Sequence, residues 1–324
     1  LDGASFHIAS TLVWNKAFGA SDINNLDLDL YQLDGTLIAS SHSTVDNVEH
    51  LFERNLPPGD YVIQVRKSAV NGDRISDSET YALSFNFSPS PTPTAAGSFT
   101  ANAAGDFSIQ LTWNDQTDDE TGYRLERRLS GGTYTEIVSL DPNVESYLDA
   151  NLDPDTLYEY RLTAFNPNAD ASSVTTSATT YRRIENWRFE NFGTATNSGD
   201  AADIADPDAD QIPNLLEYAT ELDPNTSDSI GIIQTDSLSE QKQISFKLRS
   251  DDTTLSYWLG YTENLLNAFQ YTSLEDIDSG LHPEIEFIQS NSLDSSFEDR
   301  TYGIRSENVA KQLFLKLRVE NTSP

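Results

Sequence analysis

Along residues 1–88 apolar and polar side chains alternate at period two in FHIASTLVW, LDLDLYQL, TLIASSH, YVIQVRKS and TYALSFNF. That spacing is the mark of strands with one buried face. Turn signals separate them: LDG at 33–35, PPGD at 57–60 and NGD at 71–73. The pattern predicts a jelly-roll β-sandwich of about eight strands. Residues 89–97 sit inside SPSPTPTAAG, a Pro/Ser/Thr linker whose composition offers no means of burying itself. Over 98–181 short strands return in SIQLTW, YRLERRL, YTEIVSL, YEYRLTAFN and SSVTTSAT; their spacing predicts about seven strands in an immunoglobulin-like sandwich. The texture then changes across 182–229, where IENWRFENF and IPNLLEYATEL read as short helices, the second with Pro213 near its first turn. QISFKLR, LSYWLGYTE, IEFIQS and QLFLKLRVE mark a last β domain over 230–324. The expected class is all-β: tandem sandwiches, a short helical linker and a C-terminal β domain.

Composition narrows the function. There are 52 acidic against 20 basic side chains, a net charge of -32. This argues against nucleic acid or an anionic membrane held by a general basic surface, and suits a salty or calcium-rich medium. With no cysteine there is no disulfide framework or thiolate metal site. No apolar run reaches the roughly 20 residues of a membrane span. Methionine is absent, and LDGASFHIAS has neither a basic nor an apolar leader region. The expectation is a processed piece of a longer precursor, located outside the cell or on its surface.

Acid is densest in 184–229, with eleven acidic residues and one base, Arg188. Within it, DPDADQIPNLLEY runs from Asp206 to Tyr218. Calcium takes six to eight hard oxygen ligands, which a twelve-residue loop supplies from positions 1, 3, 5, 7 (through a backbone carbonyl), 9 and 12. Those positions are Asp206, Asp208, Asp210, Ile212, Asn214 and Glu217. The departure is Gln211, where the pattern wants glycine for a sharp turn; a left-handed non-glycine residue costs on the order of 1 kcal/mol. Pro213 replaces the usual pairing hydrophobe, against a paired sensor-type loop. An acidic, solvated turn before a helix is the alternative, because Asp and Asn favour both turns and helix starts. Four carboxylates packed together repel without a cation, which favours Ca2+ bound structurally. Nothing nearby in sequence supplies a base, a nucleophile or a substrate pocket.

Three stretches resemble known modules. Trp113 in SIQLTWND, with Leu152, Pro154, Thr156, Tyr158, Tyr160, Ala164 and Asn166 in LDPDTLYEYRLTAFN, resembles a fibronectin type III domain. The resemblance implies that Tyr158 is its tyrosine corner; the adhesive RGD tripeptide is absent. TLVWN, NLDLDLYQLDGTLIASSHSTVDNVEHL and LPPGDYVIQV are similar to the pre-peptidase C-terminal-like jelly rolls that follow the catalytic domain of bacterial subtilisin-like proteases. Trp187, Phe192, Gly193, Asn214, Leu215, Glu217, Tyr218, Asp223 and Pro224 match a linker of large extracellular bacterial proteins, akin to thrombospondin type 3 and dockerin calcium loops.

The histidines are His7, His42, His50 and His282. Ser43, Asp46 and His50 have triad chemistry, but a triad is defined by geometry rather than by nearness in sequence. There, Asp46 and Asn47 are expected to bond local backbone instead. No G-x-S-x-G, H-E-x-x-H or phosphate-cradling glycine loop occurs. Asp27 and Asp29 share one strand face; with Asp22 or Asp46 they could hold a second cation, or simply form a polar outer face. Trp14, Tyr31, Tyr257, Trp258 and Tyr261 could stack on carbohydrate, though aromatics at strand spacing more often build a core. The expected function is non-catalytic: a calcium-stabilised C-terminal region of a secreted bacterial protein, with a subtilisin-like serine protease as the precursor the resemblance implies, serving spacing, stability and attachment. Its partner would be an upstream catalytic or surface domain of the same precursor. The rival is a structural or adhesive surface-layer, filament or matrix protein that binds protein or polysaccharide or associates with itself. A hydrolase hidden in the jelly roll is a third reading.

Overall fold

The structure, a computed structural model, describes residues 5–15, 24–67, 78–116, 118–227, 233–236, 243–263, 265–305 and 314–322. The chain forms two compact units. The first takes in residues 1–104, 108–151 and 157–179, and the second takes in 105–107, 152–156 and 180–324. Every named strand pair is antiparallel, and the molecule is all-β, built of tandem sandwiches.

The first sandwich holds β1 (Phe6–Trp14), β2 (Leu26–Gln32), β3 (Leu37–Ser41), β4 (Val48–Leu56), β5 (Tyr61–Lys67) and β6 (Tyr81–Pro89). Its sheets run β4-β1-β6 and β3-β2-β5. On β1 the alternation is complete: Phe6, Ile8, Ser10, Leu12 and Trp14 are buried, with less buried residues between them. Leu26, Leu28 and Leu30 of β2 close the core from the other sheet. Six strands fall among the described residues where the pattern predicts about eight; the NGD turn at 71–73 lies outside those residues.

The second sandwich holds β7 (Gly97–Ala103), β8 (Ser108–Asn114), β9 (Gly122–Leu129), β10 (Thr135–Leu140), β11 (Ser146–Ala150), β12 (Leu157–Phe165) and β13 (Val174–Thr179). A sheet β11-β8-β7 faces a sheet β10-β9-β12-β13, the three-on-four order of a fibronectin type III sandwich. Trp113, Tyr123, Leu125, Tyr160 and Leu162 are buried in it. The Tyr160 hydroxyl donates to Asp149 at 2.8 Å, and Arg127 reaches both oxygens of that carboxylate at 2.8 Å. Tyr158, the residue implied as the corner, is buried under the Arg127 guanidinium, 5.2 Å from its ring centre.

The linker departs from expectation. Ser90, Pro93 and Ala96 are buried while Pro91, Thr92 and Thr94 are exposed, so burial recurs every third residue. One edge of the linker therefore lies against protein, at the three-residue spacing a polyproline II helix would give. Proline-rich composition removes backbone donors and an apolar stripe, but it does not prevent a neighbouring surface from receiving the segment.

The second unit begins with α1 (Arg183–Phe192), a 3-10 turn at Gly199–Ala201 and α2 (Asn214–Thr220). Glu185 accepts from the Arg182 N–H at 2.9 Å, and Gly193 ends α1 at φ 71°, a left-handed cap that glycine adopts without strain. Then follow β14 (Gln234–Asp236), β15 (Gln243–Arg249), β16 (Leu255–Thr262), β17 (Gln270–Ser273), α3 (Leu274–Asp278), β18 (Ile285–Ser292), β19 (Phe297–Ile304) and β20 (Phe314–Asn321). Sheets β14-β15-β19-β18 and β17-β16-β20 enclose Phe246, Leu248, Leu259, Ile285, Tyr302 and Leu317. A smaller core joins the helices to this sandwich: Ile184, Tyr218, Ala219 and Leu255, with Trp187 and Val319 packed on them. Among the described residues no helix is long and apolar enough to cross a membrane.

Candidate metal centre

The loop ahead of α2 is folded by its own carboxylates. Asp206 accepts from the N–H groups of Asp210 at 3.1 Å and Gln211 at 2.9 Å; Asp210 accepts from the N–H of Ile212 at 2.8 Å. To make this wrap, Ala209 and Gln211 take φ of 62° and 75°, the left-handed region that L-residues avoid. Gln211 thus adopts the conformation for which the loop pattern reserves glycine. The result brings Asp206, Asp208 and Asp210 together, with one oxygen from each within 4.8 Å of the others. Asp206 is exposed and the other two are half-buried. Desolvation pushes the Asp208 carboxyl above its ordinary range, and the Asp210 and Asp206 charges push the same way.

The other expected ligands sit differently. Ile212 is half-buried beside the loop. Asn214, 1% exposed, donates through Nδ2 to the carbonyls of Asp200 at 2.7 Å and Ala202 at 2.8 Å. Its Oδ1 is buried with no hydrogen-bond partner among the described residues, as is Asp208 Oδ2. Glu217 is fully buried in the first turn of α2 and stands outside the carboxylate trio. A hard cation suits this donor set: clustered carboxylates, and buried oxygens still holding lone pairs.

The sequence pattern missed the brace around the loop. Arg188 of α1, 3% exposed, is ion-paired with Asp203. Asp203 accepts from Leu215 N at 3.0 Å through its carbonyl, so α1 and the start of α2 are held to one segment. Behind them the Tyr218 hydroxyl donates to Asp252 at 2.6 Å, and the Arg249 guanidinium lies 4.2 Å from the Tyr218 ring centre. Arg188 stands out in the sequence as the lone base of an acidic stretch, but nothing local names its partner.

The remaining candidates do not assemble. His50 Nδ1 pairs with Thr11 at 2.9 Å, while Ser43 Oγ accepts from Val45 N and Asp46 is exposed, so no triad forms. Asn47 bonds backbone, but not locally: its Nδ2 donates to Trp14 O at 2.6 Å, across 33 residues. Asp27 and Asp29 lie on the outer face of β2 yet are 4% and 1% exposed. Their counter-charge is Arg66, which stands 3.3 and 3.4 Å from them, and His42 Nε2 is in hydrogen-bond contact with Asp29 at 2.7 Å. Asp22 lies outside the described residues. Trp14 is a core residue whose Nε1 donates to Asn24 O at 2.6 Å, which removes it from any sugar-stacking surface. His282 is buried, accepts from Glu284 N and Ile285 N, and packs edge-on to Tyr261 at 4.8 Å; desolvation lowers its basicity.

Comparison with known proteins adds fibronectin type III domains. A solved structure titled FN3tt mut is 31% identical over 28% of this chain and all of its own, with a TM-score of 0.26. A two-domain fibronectin type III segment of chicken tenascin is 13% identical over 56% of this chain and 95% of its own, with a TM-score of 0.28. The sixth such domain of a human fibronectin type III domain containing protein is 21% identical over 29% of this chain and 92% of its own, with a TM-score of 0.26. No family model matches. No curated protein matches.

Proposed function

We propose that this chain is a non-catalytic extracellular module array, in which Ca2+ held at Asp206, Asp208 and Asp210 stiffens the helical segment that packs on the C-terminal sandwich. The observation that carries the reading is the trio of carboxylate oxygens within 4.8 Å of one another, on a loop folded back by its own backbone N–H groups. Asn214, Glu217 and the Ile212 carbonyl complete the ligand set implied by the sequence pattern. The upstream partner on this reading is a catalytic domain of the subtilisin-like kind, suggested by the first sandwich's sequence resemblance. The adhesive or filamentous alternative is favoured by the fibronectin type III topology of the second sandwich.

The test is calorimetric titration of the full chain with Ca2+, beside a D206N/D208N variant. Saturable binding in the parent and its loss in the variant are expected. A parent chain that takes up no calcium overturns the reading. Sedimentation across a concentration series separates the alternatives, because a filament protein polymerises and a spacer stays monomeric.

A further inference from the structure

We propose that the first two sandwiches form one rigid strut, locked by the side chains of Asn166 and Asn168. Both asparagines lie in the turn that follows β12. Asn166 Oδ1 accepts from the N–H groups of Asn168 at 2.9 Å and Ala169 at 3.1 Å, which shapes the turn. Its Nδ2 donates outward, to Pro91 O of the linker at 2.6 Å and to Asp119 O at 3.2 Å. Asn168 does to Ser5 what a strand neighbour does. Its Oδ1 accepts from Ser5 N at 2.5 Å, while its Nδ2 donates to Ser5 O at 2.9 Å and to Ser90 O at 3.1 Å. A primary amide carries the donor and acceptor of a peptide group, so Asn168 extends the β1–β6 pairing into the second sandwich.

The contact is three strands wide. Ser5 leads into β1, Ser90 follows β6, and Asn55 near the end of β4 donates to Asp119 O at 3.3 Å. Beside it, Arg54 reaches the Asp118 carboxylate at 3.1 Å. All three strands of one sheet therefore end on the second sandwich. Neighbouring strands stand about 4.8 Å apart, so the contact has the breadth to resist rocking as well as separation. Ser5, Ser90 and Asn166 are 1%, 6% and 5% exposed, so water does not compete freely for these bonds. The docked edge of the linker, through Ser90, Pro93 and Ala96, removes the slack that a free Pro/Ser/Thr tether would leave. The strut is independent of the calcium loop, which belongs to the other unit.

The chain has no native cysteine, so spin labels can be placed at S84C and T175C, exposed positions on β6 and β13. Electron–electron resonance on the full chain then reads the distance between the two sandwiches. One narrow distance distribution is expected, unchanged by chelator, and at least two-fold broader in N166A/N168A. The single variant N168D, which keeps the acceptor and loses both donors, guards against misfolding of the double variant and is expected to broaden the distribution too. A broad distribution in the parent overturns the strut. An unchanged narrow one in folded N168D and N166A/N168A overturns the assignment of the lock to these asparagines.

Discussion

Gln211 holds φ at 75°, a conformation that costs an L-residue roughly 1–2 kcal/mol and glycine little. The conformation lets its N–H reach Asp206 at 2.9 Å, but its side chain takes no part in the carboxylate trio, so glycine would serve the wrap without the strain. Gln211→Gly should raise the stability of the second unit by up to about 1 kcal/mol, part of the gain being offset by the freer unfolded chain; urea unfolding measures it, and calcium affinity should rise with it. Glu120 offers a second test. It is 5% exposed, and its Oε1 lacks a hydrogen-bond partner among the described residues. Desolvation pushes its carboxyl above the ordinary 4.5, with the Asp115 and Asp118 charges adding to the rise. The folded state thus binds the proton more tightly than the unfolded chain. That contribution is fully present below about pH 4.5 and is lost as pH rises through the raised folded value. Glu120→Gln stays neutral, so it should be more stable than the parent at neutral pH and have a flatter stability profile from acid to neutral, as followed by thermal melts.

At the scale of elements, α2 is only seven residues long, too short to be helical alone. It persists because Asn214, Glu217, Tyr218, Ala219 and Thr220 are buried. Tyr218 joins it to the C-terminal sandwich through the bond to Asp252, a carboxylate 9% exposed. Tyr218→Phe keeps the ring over Arg249 and removes the hydroxyl. The cost should be about 1.5–3 kcal/mol, the range for a hydrogen bond to a charged group. Calorimetry should place that loss in the second unit's transition and leave the first unit's transition where it was. An equal fall in both would mean that the units do not unfold separately.

For the whole molecule, calcium should act on one unit alone. A ligand that binds only the folded state adds about 2.7 kcal/mol at a hundred times its dissociation constant. Chelation should therefore lower the melting temperature of the second unit and leave the first unchanged, a difference that scanning calorimetry of the full chain resolves. The order of strands and helices was legible from the chain because period-two alternation and turn residues act over a few neighbours: β1 reads directly from FHIASTLVW, and α1 from IENWRFENF. The spacing of Asp206, Asp208 and Asp210 was legible for the same reason, since a twelve-residue loop is a local object. What joins distant segments was not. No local pattern announces that Arg188 will find Asp203, or that Arg66 and His42 will answer Asp27 and Asp29. The linker shows the division most clearly. Its sequence determined a proline-rich connector between two sandwiches; only the tertiary structure decided that it would be held, because the amides that hold it arrive from 75 and 78 residues further along the chain.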